Sequence, residues 1–195
     1  VVYGLIAIIV GGVAFYEFNA SNTVRAQERE ADAFHAAMLA FEDNDYVAAS
    51  ALFEEILNSD SSFAPLAGHF LSEVRIAGQG DRAAAADALA TAAASGDGVI
   101  AELALLKAAY IESPNMTLED LRTKLEPLTS STSQLSFLAN ELIAARAYEL
   151  GDLEEARRIY NTIVLALDAP EATRFRAERA IATLDTLKQL EGSAQ

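Results

Sequence analysis

The chain has 195 residues, 52% of them apolar, and a formal net charge of −15. That acidic balance excludes non-specific nucleic-acid binding, which needs a positive field, and points to a soluble surface kept apart from other acidic surfaces, anionic lipid headgroups included. Cysteine is absent, which excludes disulfide staples, thiolate metal ligands and cysteine nucleophiles, and the few glycines and prolines suit an all-helical chain.

From Val1 to Tyr16 no residue is charged. Val2, Leu5, Ile6, Ile8, Ile9 and Val10 are bulky and apolar, and Gly4, Gly11 and Gly12 are tolerated in membrane helices. A span needs about 20 apolar residues. Phe15, Tyr16 and Phe18 close the run as an aromatic interfacial belt would, and Glu17 and Asn19 mark the water side. We expect a transmembrane anchor over residues 1–19, with residues 1–18 in contact with the lipid bilayer. Two other readings fit less well. A signal peptide lacks a small-x-small cleavage site before Asn19. A buried core helix would be striped, whereas this run is apolar all round.

Residues 20–43 turn polar and amphipathic, and read as a helical lead running into the first repeat helix. Ala33, Phe34, Ala37, Met38 and Phe41 form its stripe. Asn44-Asp45 makes a turn, with Asp45 capping the helix that carries Ala49 and Phe53. After the polar loop Asn58–Ser62, a helix is expected from Phe63 to Ala77. Gly78-Gln79-Gly80-Asp81 ends it and starts the next, glycine serving as C-cap and Asp81 as N-cap. Ala83 to Ala94 is nearly all alanine, which favours close helix packing. Val99 to Glu112 is the next helix, stopped by Ser113-Pro114-Asn115. Thr117 with Asp120 resembles a capping box, and Pro127 is expected to end that helix early. A serine/threonine linker from Thr129 to Ser133 precedes a helix from Ser133 to Leu150. Asp152 with Glu155 is again a cap-and-box pair. Pro170 then sits at the tolerated first turn of a last helix through Leu190, polar enough to cap an open end, with a frayed tail from Gly192.

One apolar pattern recurs. Leu153, Ala156, Tyr160 and Ile163 step by three, four and three residues along one helical face. Tyr46, Ala49, Phe53 and Ile56 do the same, as do Leu118, Leu121, Leu125 and Leu128. So do Arg82, Ala85, Leu89 and Ala92, with Arg82 breaking the apolar rule. The anchors fall at 49, 85, 121 and 156, at intervals of 36, 36 and 35. Such a period is the signature of stacked two-helix repeats of tetratricopeptide length, since one hairpin cannot bury its stripe alone. A generic bundle with hairpins of similar length is the competing reading. The expected fold is therefore all-α: a transmembrane helix, a tetratricopeptide-like α-α superhelix of about four hairpins over residues 31–168, and a capping helix with tail over 169–195.

The sequence offers little chemistry. His35 and His69 each lack a second histidine four residues away, so neither reads as half of a zinc pair. Glu54-Glu55 and Glu154-Glu155 read as solvated faces. The loop serines Ser59, Ser61, Ser62, Ser130, Ser131 and Ser133 have no nucleophile elbow, and Gly78-Gln79-Gly80 lacks the lysine of a phosphate loop. No enzyme activity, catalytic residue, cofactor or metal is expected. Between Glu42 and Glu102 eleven acids face only Arg75 and Arg82. Solubility explains that imbalance more simply than a docking surface for a basic partner.

Counting fifteen and eleven residues back from each anchor lands on the face where first helices of stacked hairpins line a concave side. The positions are Phe34 and Met38, Phe70 and Val74, Leu106 and Tyr110, Glu141 and Ala145, with Phe41 and Tyr148 one turn on. Two readings stand: these groups are core or covered by the terminal helix, or they line a groove for an apolar segment of a partner. On the second reading the partner-binding residues are Phe34, Met38, Phe41, Phe70, Val74, Leu106, Tyr110 and Tyr148.

The layout, carried by Asp45-Tyr46-Val47-Ala48-Ala49 and Gly151-Asp152-Leu153-Glu154-Glu155-Ala156, resembles the YfgM-like tetratricopeptide-repeat family, ancillary subunits of the bacterial SecYEG translocon. The resemblance implies a single-pass inner (plasma) membrane protein with its repeats in the periplasm, linked to the translocon, to periplasmic chaperones and to client proteins, and without catalytic residues. The expected function is a membrane-anchored scaffold or chaperone-type interaction module, with no nucleic-acid partner. The alternatives are an accessory subunit of another inner-membrane complex, respiratory or photosynthetic, and an enzyme or small-molecule binder, which needs converging polar groups in a pocket.

Overall fold

The computed structural model describes residues 27–130, 133 and 135–193. The expected membrane anchor, residues 1–19, and the start of the helical lead lie outside the described residues, as do Ser131 and the last two residues of the tail. Among the described residues no helix is long and apolar enough to cross a membrane.

Every regular element described is helical. Helix α1 is described over residues 27–42. It is followed by α2 (Tyr46–Leu57), α3 (Ala64–Gln79), α4 (Arg82–Ala94) and α5 (Val99–Glu112). A 3₁₀ turn, Ser113–Asn115, leads to α6 (Leu118–Thr129), α7 (Ser136–Glu149), α8 (Leu153–Leu165) and α9 (Glu171–Ser193).

The hairpin turns follow from local chemistry. Asn44, Gly80 and Gly151 adopt left-handed backbone at φ 60°, 65° and 81°, a conformation glycine and asparagine accept most readily. Each is followed by an aspartate whose N–H reaches back to the preceding helix: Asp45 to Ala40 O, Asp81 to Arg75 O, Asp152 to Ala147 O, at 2.9–3.1 Å. At Asp45 and Asp152 that closes a Schellman motif, at Asp81 a wider turn with Gly80 N–H on Ile76 O, and each satisfies a terminal carbonyl. The same aspartates then open the next helix. Their Oδ1 atoms accept from the N–H of Ala48 at 3.0 Å, Ala84 at 2.9 Å and Glu155 at 3.1 Å. Thr117 Oγ1 does this for α6, accepting from Asp120 N–H at 3.1 Å. The third hairpin alone replaces the left-handed turn with the 3₁₀ segment, which makes its connection longer.

Two cores form. Phe53, Leu71, Val74, Leu89, Ala104 and Ala108 belong to one; Leu121, Leu125, Ile143, Ile159, Ile163 and Leu184 belong to the other. Helix α5 contributes to both, through Ala104 and Ala108 on one side and Ala109 on the other. Helices pack on their chain neighbours, and α3, α5, α7 and α9 also touch in succession as an inner row. This order of neighbours is compatible with an α-α superhelix. The small residues of α4 permit close approach: Ala85, Ala86, Ala88 and Ala92 are buried, and a methyl added to Gly68 of α3 would sit 2.4 Å from Ala92 Cβ.

Three local expectations need correction. Pro127 lies inside α6 and does not end it. The carbonyl it leaves without an N–H donor belongs to Thr123, an exposed residue. Helix α7 begins at Ser136, three residues later than expected, because Ser133 Oγ accepts from Leu135 N–H at 3.1 Å and holds a turn there. The last helix runs to Ser193, past both Leu190 and the start of the expected frayed tail.

Candidate functional site

The sequence-derived inner-face residues separate into two sets. Phe34, Phe41 and Phe70 are half-buried and interlock with Phe53 and Phe63. Phe34 stacks on Phe63 at 5.2 Å and meets Phe70 edge-on at 5.7 Å; Phe70 stacks on Phe53 at 5.4 Å and meets Phe41 at 6.2 Å. Met38 packs against the same core, and Val74 is 0% exposed within it. These five side chains are therefore built into the first core instead of standing free in a groove. Offset and edge-on rings gain quadrupole attraction beyond their burial, which makes the cluster self-satisfying. Tyr148 is 40% exposed on α7, one turn beyond Ala145 and not among the residues that line the cleft described next.

Leu106 and Tyr110 do line a concavity. It has a volume of about 620 Å³ and runs across α3, α5 and α7 to Arg176 of α9. Its apolar wall is Ile76, Leu106, Tyr110, Leu138, Leu142 and Ala145. Tyr110 is 66% exposed, and Ile76 and Leu138 are also among the exposed large apolar side chains. Of the inner-face positions counted from the anchors, Leu106, Tyr110, Glu141 and Ala145 are thus brought together.

Ile76, Leu138, Leu142 and Ser72 were missed because the count names one and the same face of every inner helix, whereas the cleft meets α3 on the side that carries Ser72 and Ile76 and α7 on the side that carries Leu138, Leu142 and Ala145. Residues two apart on a helix lie about 200° around it, so Phe70 and Val74 pack in the first core while Ser72 and Ile76 line the cleft.

The polar groups of the cleft are mostly spent on each other. Lys107 Nζ donates to Glu73 Oε1 at 2.9 Å, and Arg176 holds both Glu141 oxygens at 2.6 and 2.7 Å. The Glu141 carboxylate raises the Arg176 pKa above its ordinary value. Arg82 has no acidic partner among the described residues, and Ser72 Oγ, in a side chain 1% exposed, has no hydrogen-bond partner.

Other polar groups tie one hairpin to the next. Glu30 Oε2 accepts from Ser61 Oγ at 2.9 Å and from Ser62, and the Ser61 bond leads in lowering its pKa. Ser133 Oγ donates to Glu102 Oε2 at 2.6 Å. Arg146 of α7 donates to Met116 O and Pro114 O at 3.0–3.2 Å, clamping the 3₁₀ connection. Glu155 is half-buried between Arg158 and Arg122, where the sequence reading had it solvated; the Arg158 bond is the main cause of its lowered pKa. His69 Nε2 lies 3.0 Å from Ile100 O, and burial pushes its pKa down. His35 is exposed. Among the described residues no group of histidines and acids is placed to hold a metal.

No protein-family model matches the chain, and neither a curated protein nor a solved structure matches it.

Proposed function

We propose that this protein is a membrane-anchored interaction module of tetratricopeptide type, similar in kind to the YfgM-like family. Its repeats stand on the periplasmic side of a bacterial inner membrane, beside a SecYEG-type translocon, and its inner row of helices takes apolar segments of exported client proteins. One observation carries this reading: the cleft over Leu106, Tyr110, Leu138 and Leu142 is an open apolar surface whose flanking charges are largely cancelled in two ion pairs. An apolar segment entering it gains burial without stripping water from an unpaired carboxylate. Tethering by the amino-terminal anchor raises the local concentration near emerging chains.

The test places a photo-crosslinking side chain at Tyr110, and a control at Val47, exposed on α2, in the full chain in bacterial membranes. A radiolabelled secretory precursor stalled in the translocon serves as the probe. The precursor crosslinks to position 110, the product is lost on Leu138→Asp, and position 47 gives little. Equal labelling at both positions refutes the cleft. Recovery of one stoichiometric energy-conversion complex, with no translocon subunits, replaces the proposal with the accessory-subunit reading.

A further inference from the structure

The inner helices run in one direction, and that sets where the amino-terminal segment meets the cleft. Glu30, near the start of α1, accepts from Ser61 and Ser62 ahead of α3. His69, in the first half of α3, lies 3.0 Å from Ile100 O at the start of α5. Glu102, in the first turn of α5, accepts from Ser133 ahead of α7. The starts of α1, α3, α5 and α7 are therefore neighbours at one end of the molecule. On α5, Val99, Leu103, Leu106 and Tyr110 step by four, three and four residues and share one face. Leu106 and Tyr110 line the cleft, and Val99 and Leu103 are exposed. An apolar track thus leads into the cleft from the end where the chain enters α1.

We propose that the cleft holds the chain's own residues 1–18 whenever no bilayer takes them up, so that membrane insertion is what opens it to clients. This rests on the interaction-module reading above. The chain is long enough. From α1 to α5 is two steps along the inner row, about 16–20 Å at helix spacings of about 8–10 Å, and residues 19–26 span up to about 26–29 Å. As a helix, residues 1–18 measure about 27 Å, against about 21 Å for the 14 residues of α5, so the segment covers the whole track. Phe18 then lies near Val99, and the segment runs antiparallel to α5 with its first residues toward Tyr110. The charges agree as well. Residues 1–16 bring none, and Glu73, Lys107, Glu141 and Arg176 of the cleft are engaged with one another. The exchange has a direction. The cleft covers one side of a segment that is apolar all round, whereas hydrocarbon covers every side, so the bilayer wins and the cleft empties.

The test uses the full chain, made by cell-free synthesis without detergent and with a photo-crosslinking side chain at Tyr110. Arg25 is the first basic residue of the chain, so trypsin releases residues 1–25 as one peptide. That peptide is found joined to the one spanning residues 108–122. Vesicles of phosphatidylethanolamine and phosphatidylglycerol, present during synthesis, lower the joined product about tenfold or more. Leu138→Asp in the cleft wall lowers it too, whereas Val47→Asp, exposed on α2, leaves it unchanged. Mixing chains of natural and heavy nitrogen separates the occupants: a product of mixed label puts a second copy in the cleft and overturns the proposal. Aggregation of the full chain without lipid, absence of the joined product, or a yield indifferent to vesicles or to Leu138→Asp overturns it equally. If the internal product is missing while the stalled precursor still crosslinks to position 110 in membranes, the gating falls and the interaction module stands. Loss of both crosslinks removes the module as well.

Discussion

Among the described glycines, Gly68 leaves the least room for an added methyl, and replacing it is a quantitative test of how the repeats close. An alanine methyl there would lie 2.4 Å from Ala92 Cβ, 3.0 Å from Ala88 O and 3.1 Å from Leu57 Cδ1. Carbon atoms in contact prefer about 3.5–4.0 Å, so α4 must withdraw by about 1 Å, and α4 is held on its far side by α5. Overpacking of this kind costs about 1–3 kcal/mol, and an approach of 2.4 Å to a rigid alanine Cβ lies in the upper part of that range, about 2–3 kcal/mol. Helix propensity works the other way, alanine being favoured over glycine by about 1 kcal/mol. The net expectation for Gly68→Ala is a loss of about 1–2 kcal/mol, or about 3–6 °C for a domain of this size. Ala92→Gly removes the atom most in conflict. In that background Gly68→Ala becomes close to neutral, so the double mutant is no less stable than Ala92→Gly alone, and the coupling is at least about 1 kcal/mol. Urea unfolding followed by far-ultraviolet circular dichroism reads all four proteins. A stabilised Gly68→Ala, or additivity within about 0.5 kcal/mol, refutes the close approach of α3 to α4.

Two further outcomes follow from the cores. Phe34→Ala with Phe70→Ala removes both half-buried rings from the aromatic cluster, and a loss on the order of 3–5 kcal/mol is expected; a urea midpoint equal to the parent's would return those rings to a groove role. His69 adds a pH dependence. Burial holds its folded pKa below the ordinary 6.5, so the unfolded chain takes up the proton first. The stabilisation from the neutral ring is complete above about pH 6.5 and is lost as pH falls through the folded value. Urea midpoints measured at pH 7.5, 6 and 5 should fall for the parent and fall less for His69→Gln; equal slopes would show that His69 carries no linkage.

Much of the hairpin architecture was legible in the residues because its causes are local. Asp45, Asp81, Thr117 and Asp152 cap helices through bonds three residues away, and Asn44, Gly80 and Gly151 accept left-handed backbone, so the starts of α2, α4, α6 and α8 could be read without a fold. The short serine turn at Ser133 was less legible, since Ser133 Oγ also answers to Glu102, which is distant in the chain.

What the residues alone determined is an all-helical chain of capped hairpins with a period near 35, because capping and amphipathic spacing act over one or two turns. Which face of each inner helix meets solvent was decided only by tertiary packing. Phe34 and Phe70 turned inward because Phe53 and Phe63 were there to receive their rings. Ser72 and Ile76 replaced Phe70 and Val74 at the cleft because Phe70 and Val74 were taken up by the first core. Helix rotation is a long-range property: at about 100° per residue, two residues along a helix separate core from surface, and only the neighbouring helices decide which of them faces in.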